Sequence, residues 1–242
     1  MECVLGRFWP HRLGQVRHTR WAQRLSQKLC QAIHVRVDVI GQRPSTSLTV
    51  FNHLSYLDVL TIGAQGPVVF VAKSEVSRWP IIGRLARRLG TLFVVRDCRR
   101  DLVRVGGEMR AAVQGGQSIV LFPEGTSSNG RQVLRFRSGL LEAAVQNEWP
   151  VTPAFLGYRL DEADASVHVC WWGTMTLLPH LWRLLRFREI RATLCFGDPI
   201  LCRDRKELAQ RLHEAVVRLA QIPQREIRFR TAEPARESIL GS

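Results

Sequence analysis

Short apolar runs alternate with amphipathic stretches through most of this 242-residue chain, and that alternation limits the fold more than any other feature. Leu48–Phe51, Val68–Ala72, Thr91–Val95, Ser118–Phe122, Val151–Gly157, Val167–Trp171 and Ile190–Phe196 read as strands. Helices are expected between them. One starts near Ser55, where Ser55-x-x-Asp58 fits a capping box. Others are Ile81–Leu89 behind Pro80, Asp101–Val113 closed by Gly115–Gly116, Ser138–Gln146 and the arginine-rich Leu177–Phe187. Asp204-x-x-Glu207 opens the last, with Leu208, Leu212, Ala215 and Leu219 on one face. This order predicts an α/β fold: a mixed, largely parallel sheet flanked by helices. Residues 1–40 read as an N-terminal amphipathic helical segment, with Trp21, Ala22, Leu25, Leu29 and Ile33 at helical spacing. Residues 41–222 form the main domain, and 223–242 a polar tail.

Charge narrows the partners. Lys and Arg number 35 against 21 Asp and Glu, a formal +14, and only Lys28, Lys73 and Lys206 are lysine. Such a balance points to nucleic acid, an anionic membrane surface or a phosphorylated substrate. The arginines are spread along the chain, and no helix-turn-helix, zinc-finger or aromatic RNA-binding signature accompanies them, so nucleic acid is the weaker partner. No run of 18 apolar residues encodes a conventional spanning helix, and Met1–Pro10 lacks the apolar core of a signal peptide. The six cysteines include no C-x-x-C pair, which argues against a zinc site or a disulfide framework.

Two polar loops directly follow apolar strands, the place where open α/β sheets gather ligands. The first holds His53 and Asp58. On one uninterrupted helix these positions fall on different faces. A loop before Ser55 lets the imidazole fold back onto the carboxylate, the pairing of a general base with the acid that fixes its tautomer. The second loop, Pro123-Glu124-Gly125-Thr126-Ser127-Ser128-Asn129-Gly130, is small and polar; it suits either an anion nest or an ordinary turn. Arg96, after Thr91–Val95, projects from a third strand end and has the forked geometry that binds phosphate. Taken singly, each pattern also fits a structural role.

In fixed order the chain carries N-H-x-S-x-x-D, K-x-E with P-x-x-G and G-x-x-F-V-x-R, F-P-E-G-T-x-S, and a V-x-P strand at Val151–Pro153. This series resembles the lysophospholipid and glycerophosphate acyltransferase family, over about residues 45–200. The resemblance implies that His53 is the general base and that Asp58 orients it. It further implies that Lys73, Arg96, Glu124, Gly125, Thr126 and Arg137 bind substrate. No metal or bound cofactor is implied; acyl-CoA or acyl-carrier protein is the co-substrate. The implied reaction acylates the free hydroxyl of a lysolipid, in the first instance 1-acyl-sn-glycerol 3-phosphate, giving phosphatidic acid.

Departures from the family pattern bear on the acceptor. Arg137 stands in Phe136-Arg137-Ser138-Gly139, where relatives often have lysine. Ser127 stands where many phosphatidate-forming members have arginine, removing a bidentate phosphate donor. That feature, with Leu178-Pro179-His180-Leu181-Trp182, is similar to a subgroup containing lyso-ornithine lipid acyltransferases. A lipid acceptor implies peripheral attachment at the cytoplasmic face of the inner membrane. The N-terminal helix and Leu177–Arg191, where leucine and tryptophan interleave with arginine, are the candidate docking segments.

Overall fold

The computed structural model describes residues 12–44 and 47–222. Seven strands form one sheet: β1 Val35–Ile40, β2 Leu48–Phe51, β3 Val68–Lys73, β4 Leu92–Val94, β5 Ser118–Leu121, β6 Val151–Arg159 and β7 Ile190–Phe196. Their spatial order is β1-β7-β6-β2-β5-β3-β4. All neighbours run parallel except β6 and β7, which pair antiparallel. The expected mixed, largely parallel sheet is therefore the fold. Because β6, β2, β5, β3 and β4 share one direction, the loops leaving them all open at one edge.

Helices cover both faces: α1 Arg12–Ala32, α2 Leu57–Gln65, α3 Ile82–Arg88, α4 Arg99–Gln114, α5 Glu142–Gln146, α6 Ala165–His168, α7 Leu177–Leu184 and α8 Arg205–Leu219. The central strand β2 is buried throughout, as a strand covered on both sides must be. Its alternating side chains feed two cores. Leu48 and Val50 pack with Met109 of α4 and Leu208 and Leu212 of α8. Phe51 packs with Leu57 and Ile62 of α2, Cys30 of α1 and Leu184 of α7. Asp204 caps α8 as expected, its Oδ1 accepting from the backbone N–H groups of Lys206 and Glu207 at 2.8 Å each.

Three sequence expectations change. Residues 1–40 are not helical throughout, because Val35–Ile40 forms β1, an edge strand parallel to β7. Val167–Trp171 is not a strand. Asp164 accepts from the Ser166 N–H and starts α6, and β6 pairs directly with β7, leaving no slot between them. Ser138–Gln146 splits into a 3-10 turn at Gly139–Leu141 followed by the short α5. The expected tail at 223–242 and the first ten residues lie outside the described residues.

Candidate active site

The site is built where β2 ends. Asn52, buried directly after it, pairs with the Leu156 backbone of β6 in both senses: Nδ2 donates to the carbonyl at 2.9 Å, and Oδ1 accepts from the N–H at 2.8 Å. That clamp fixes the point from which His53 departs. The His53 peptide is then held from the β5 side. Its N–H donates to Glu124 Oε2 at 3.2 Å, and its carbonyl accepts from the Ser128 N–H at 2.9 Å. The His53 ring stacks on Phe122, centroids 4.3 Å apart. Four attachments thus set the ring before any acid–base partner is considered.

Asp58 lies in the first turn of α2 and is fully buried. His53 Nδ1 sits 2.7 Å from its Oδ2. The same oxygen accepts from the N–H groups of Leu54 at 2.7 Å and Ser55 at 3.1 Å. Tyr158, on β6, donates from its phenol to Oδ1 at 3.0 Å and shares a 3.1 Å contact with the Thr61 hydroxyl. A carboxyl facing this many donors is an acceptor, so Nδ1 carries the imidazole proton and Nε2 keeps its lone pair. The capping box forms by half: Asp58 reaches the Ser55 N–H, while the buried Ser55 Oγ finds no partner among the described residues.

Glu124 is the second buried carboxyl. Oε1 accepts from the Leu134 N–H at 3.0 Å and Oε2 from His53. Burial, and to a smaller extent the negative charge of Asp58, pushes its pKa up to about 7 against the two backbone donors. Glu124 is therefore a brace for the His53 loop whose charge changes near neutral pH.

Beside it two arginines converge. Arg96, after β4, donates to the Gly125 carbonyl. Gly125 has φ +80°, and a β-carbon there would lie 2.5 Å from Arg96 Nη1 and 3.1 Å from Arg137 Nε. A side chain at that φ would be strained, and its β-carbon would push the two guanidiniums aside. Burial, then the like charge of Arg137, lowers the Arg96 pKa, while Glu75 and Asp97 act the other way. An anion entering here would relieve that crowding. The two arginines line a cavity of about 140 Å³ whose remaining wall includes Leu102, Leu121, Leu140 and Leu141.

The structure thus joins His53, Asp58 and Glu124 in one hydrogen-bonded group, and beside it gathers Arg96, bonded to the Gly125 carbonyl, with Arg137 close to Gly125. Lys73 is exposed at the end of β3, where its charge helps hold the Glu75 carboxyl low. Thr126 is exposed, and its hydroxyl reaches only the Ser127 carbonyl, at 3.5 Å. The Ser127 hydroxyl donates to the Trp171 carbonyl, a structural use. Sequence reasoning missed Tyr158, Phe122 and the Asn52 clamp. It also missed Tyr56, whose phenol lies 3.0 Å from Nδ1 of the buried His180 on α7. Among the described residues, no group of three or more His, Cys, Asp or Glu gathers to hold a metal ion.

Residues 34–157 match the family model described as Acyltransferase. A lyso-ornithine lipid O-acyltransferase of Pseudomonas aeruginosa is 35% identical over 204 residues, 83% of this chain and 77% of the relative. A 1-acyl-sn-glycerol-3-phosphate acyltransferase of Neisseria meningitidis is 28% identical over 178 residues, 72% of this chain and 69% of the relative. The crystal structure of PlsC, the 1-acyl-sn-glycerophosphate acyltransferase of Thermotoga maritima, superposes with a TM-score of 0.61 at 23% identity, over 85% of this chain and 79% of that one, and so shares the fold.

Proposed function

The chain belongs to the acyltransferase family, and from that premise we propose that it moves a fatty acyl group from a thioester to the free hydroxyl of a lysolipid. The observation that carries the mechanism is the 2.7 Å contact between His53 Nδ1 and a carboxylate that three other donors hold in place. Nε2 takes the proton of the acceptor hydroxyl as its oxygen attacks the thioester carbonyl carbon. The tetrahedral intermediate collapses, the carbon–sulfur bond breaks, and the imidazolium returns the proton to the departing thiolate. Asp58 stabilises the imidazolium in between. Every step uses groups of this chain and its two substrates, with acyl-CoA or acyl-carrier protein as donor and no metal or bound cofactor.

The acceptor head group belongs at Arg96 and Arg137. The negative charges of Glu75 and Asp97 act on Arg96 from outside the cavity lining. Charge of both signs near the site suits a zwitterion, whose carboxylate meets the guanidiniums. Ser127 is committed to Trp171 and adds no cationic donor. With the Pseudomonas relative's name, this supports a lyso-ornithine lipid as acceptor. The paired guanidiniums themselves favour a second reading, the phosphate of 1-acyl-sn-glycerol 3-phosphate.

An acyl-transfer assay with lyso-ornithine lipid, 1-acyl-sn-glycerol 3-phosphate, glycerol 3-phosphate and other lysophospholipids, each with both donors, tests this. Highest kcat/KM with lyso-ornithine lipid is expected. Preference for the phosphate acceptor would move the assignment to the second reading, and inactivity on all would remove both. Acting on lipid, the protein works at the cytoplasmic face of the inner membrane as a peripheral enzyme. Among the described residues, no helix is long and apolar enough to cross a bilayer.

A further inference from the structure

Helix α7 is apolar on two opposite sides. His180 and Leu184 face inward and are fully buried. One helical turn apart on the outer side, Leu178, Trp182 and Leu185 are 66%, 65% and 49% exposed, and Trp172, just before the helix, is 41% exposed. A surface helix ordinarily turns a polar face to water; one that turns leucine and tryptophan outward has an unfilled contact.

The surroundings say what fills it. Between Leu177 and Arg191 the only acid is Glu189, and it is engaged by Arg36 and Arg191. Arg186 and Arg188, both exposed, therefore set a positive border to the apolar row, and Arg183 is half-buried. Leucine and tryptophan bordered by arginine match the zone where acyl chains meet anionic head groups. Over the described side chains of helix α1, residues 19–32, no equivalent row is found: Thr19, Ala22, Ser26 and Cys30 are buried, Gly63 of α2 lies close to Ser26, and the exposed side carries Arg20, Arg24 and Lys28 with Trp21.

The helix is also tied to the chemistry. His180 Nε2 donates to the Cys170 carbonyl at 3.2 Å, so Nδ1 accepts the 3.0 Å bond from the Tyr56 phenol. Tyr56 is three residues from His53. The Trp171 ring packs edge-on against both Tyr56 and Trp79, and the Trp171 backbone N–H donates to the Leu54 carbonyl at 2.8 Å. Whatever α7 rests on is held in fixed relation to the His53 loop.

We propose that the outer row of α7, Leu178, Trp182 and Leu185, is the surface on which the protein docks to an anionic lipid bilayer. Docking there delivers a membrane-resident acceptor to the His53 loop; this second part rests on the lysolipid reading above.

The test replaces the three residues together by serine. They are exposed, so circular dichroism and the melting temperature should stay as in the unaltered protein. Co-sedimentation with vesicles of phosphatidylglycerol and phosphatidylcholine should fall at least about tenfold in affinity, since binding scales with inserted apolar area. Trp21→Ser should change it little. Turnover of a long-chain acceptor embedded in vesicles should fall in parallel, while turnover of a short-chain acceptor dispersed as monomers stays unchanged. The docking proposal is overturned if the unaltered protein ignores these vesicles, if the triple variant binds them as well as before, or if the variant instead abolishes a concentration-dependent dimer. Failure of acyl transfer with every acceptor would remove the proposed function, while the sedimentation result would still decide the docking surface.

Discussion

The phenol of Tyr158 donates a 3.0 Å hydrogen bond to Oδ1 of Asp58, the carboxylate whose Oδ2 holds the His53 imidazole. The two residues are 100 positions apart, one on β6 and one in the first turn of α2. Asp58 is fully buried, so each donor matters. Replacing Tyr158 with phenylalanine removes the only side-chain donor to Oδ1 among the described residues. Leaving a buried polar atom unpaired costs about 1–3 kcal/mol, which a denaturant melt should resolve. The acceptor KM should hold, while kcat falls about tenfold, a part of what a well-placed general base contributes. A variant with unchanged kcat would show that Tyr158 supports only the fold.

Glu124 makes stability depend on pH in a defined direction. Its folded-state pKa is about 7, above the ordinary 4.5. The folded state therefore holds this proton more tightly than the unfolded chain. The resulting stabilisation is fully present below pH 4.5 and is lost as pH rises through about 7. Glutamine cannot titrate. The stability advantage of the unaltered protein over Glu124→Gln should shrink between pH 5 and 7 by about 1–3 kcal/mol and level off above. Melts across that range check it; a difference constant with pH would contradict it.

Arg96 and Arg137 should control acceptor affinity. Arg96→Ala removes a charge-assisted donor worth about 1.5–3 kcal/mol, so acceptor KM should rise about ten- to a hundredfold, with donor KM unaffected. Lysine should restore little, lacking the planar fork. Gly125→Ala should reproduce the loss without touching a charge, because its β-carbon would strike Arg96 Nη1 and its φ of +80° disfavours a side chain. Steady-state kinetics with each substrate varied separately distinguishes these outcomes from general damage.

The site was legible where chemistry lies close in sequence. His53 and Asp58 are five positions apart, and Glu124 and Gly125 follow an apolar run directly, so strand ends and polar loops marked them. Parallel β2, β5, β3 and β4 then brought Arg96 to the same edge, as the alternation implied. Tyr158 was not legible: it sits in an apolar strand, and only the β2–β6 pairing brings it to Asp58. The strand at Val35–Ile40 was hidden because helical spacing ran unbroken up to Ile33 and the chain reverses at His34, with φ +56°. Val167–Trp171 had the apolar content of a strand, but its partner edge was already filled by β7. Propensity carries no information about which edges remain open.

The most direct measurement is the turnover of His53→Ala in the acyl-transfer assay, using the acceptor and thioester donor that serve the unaltered protein best. His53 is partly exposed beside Phe122, so the fold should survive, as circular dichroism and a melt can verify. The account predicts a loss in kcat of at least about a hundredfold, the lower end of what a general base supplies. A folded His53→Ala protein that keeps most of its turnover would contradict it.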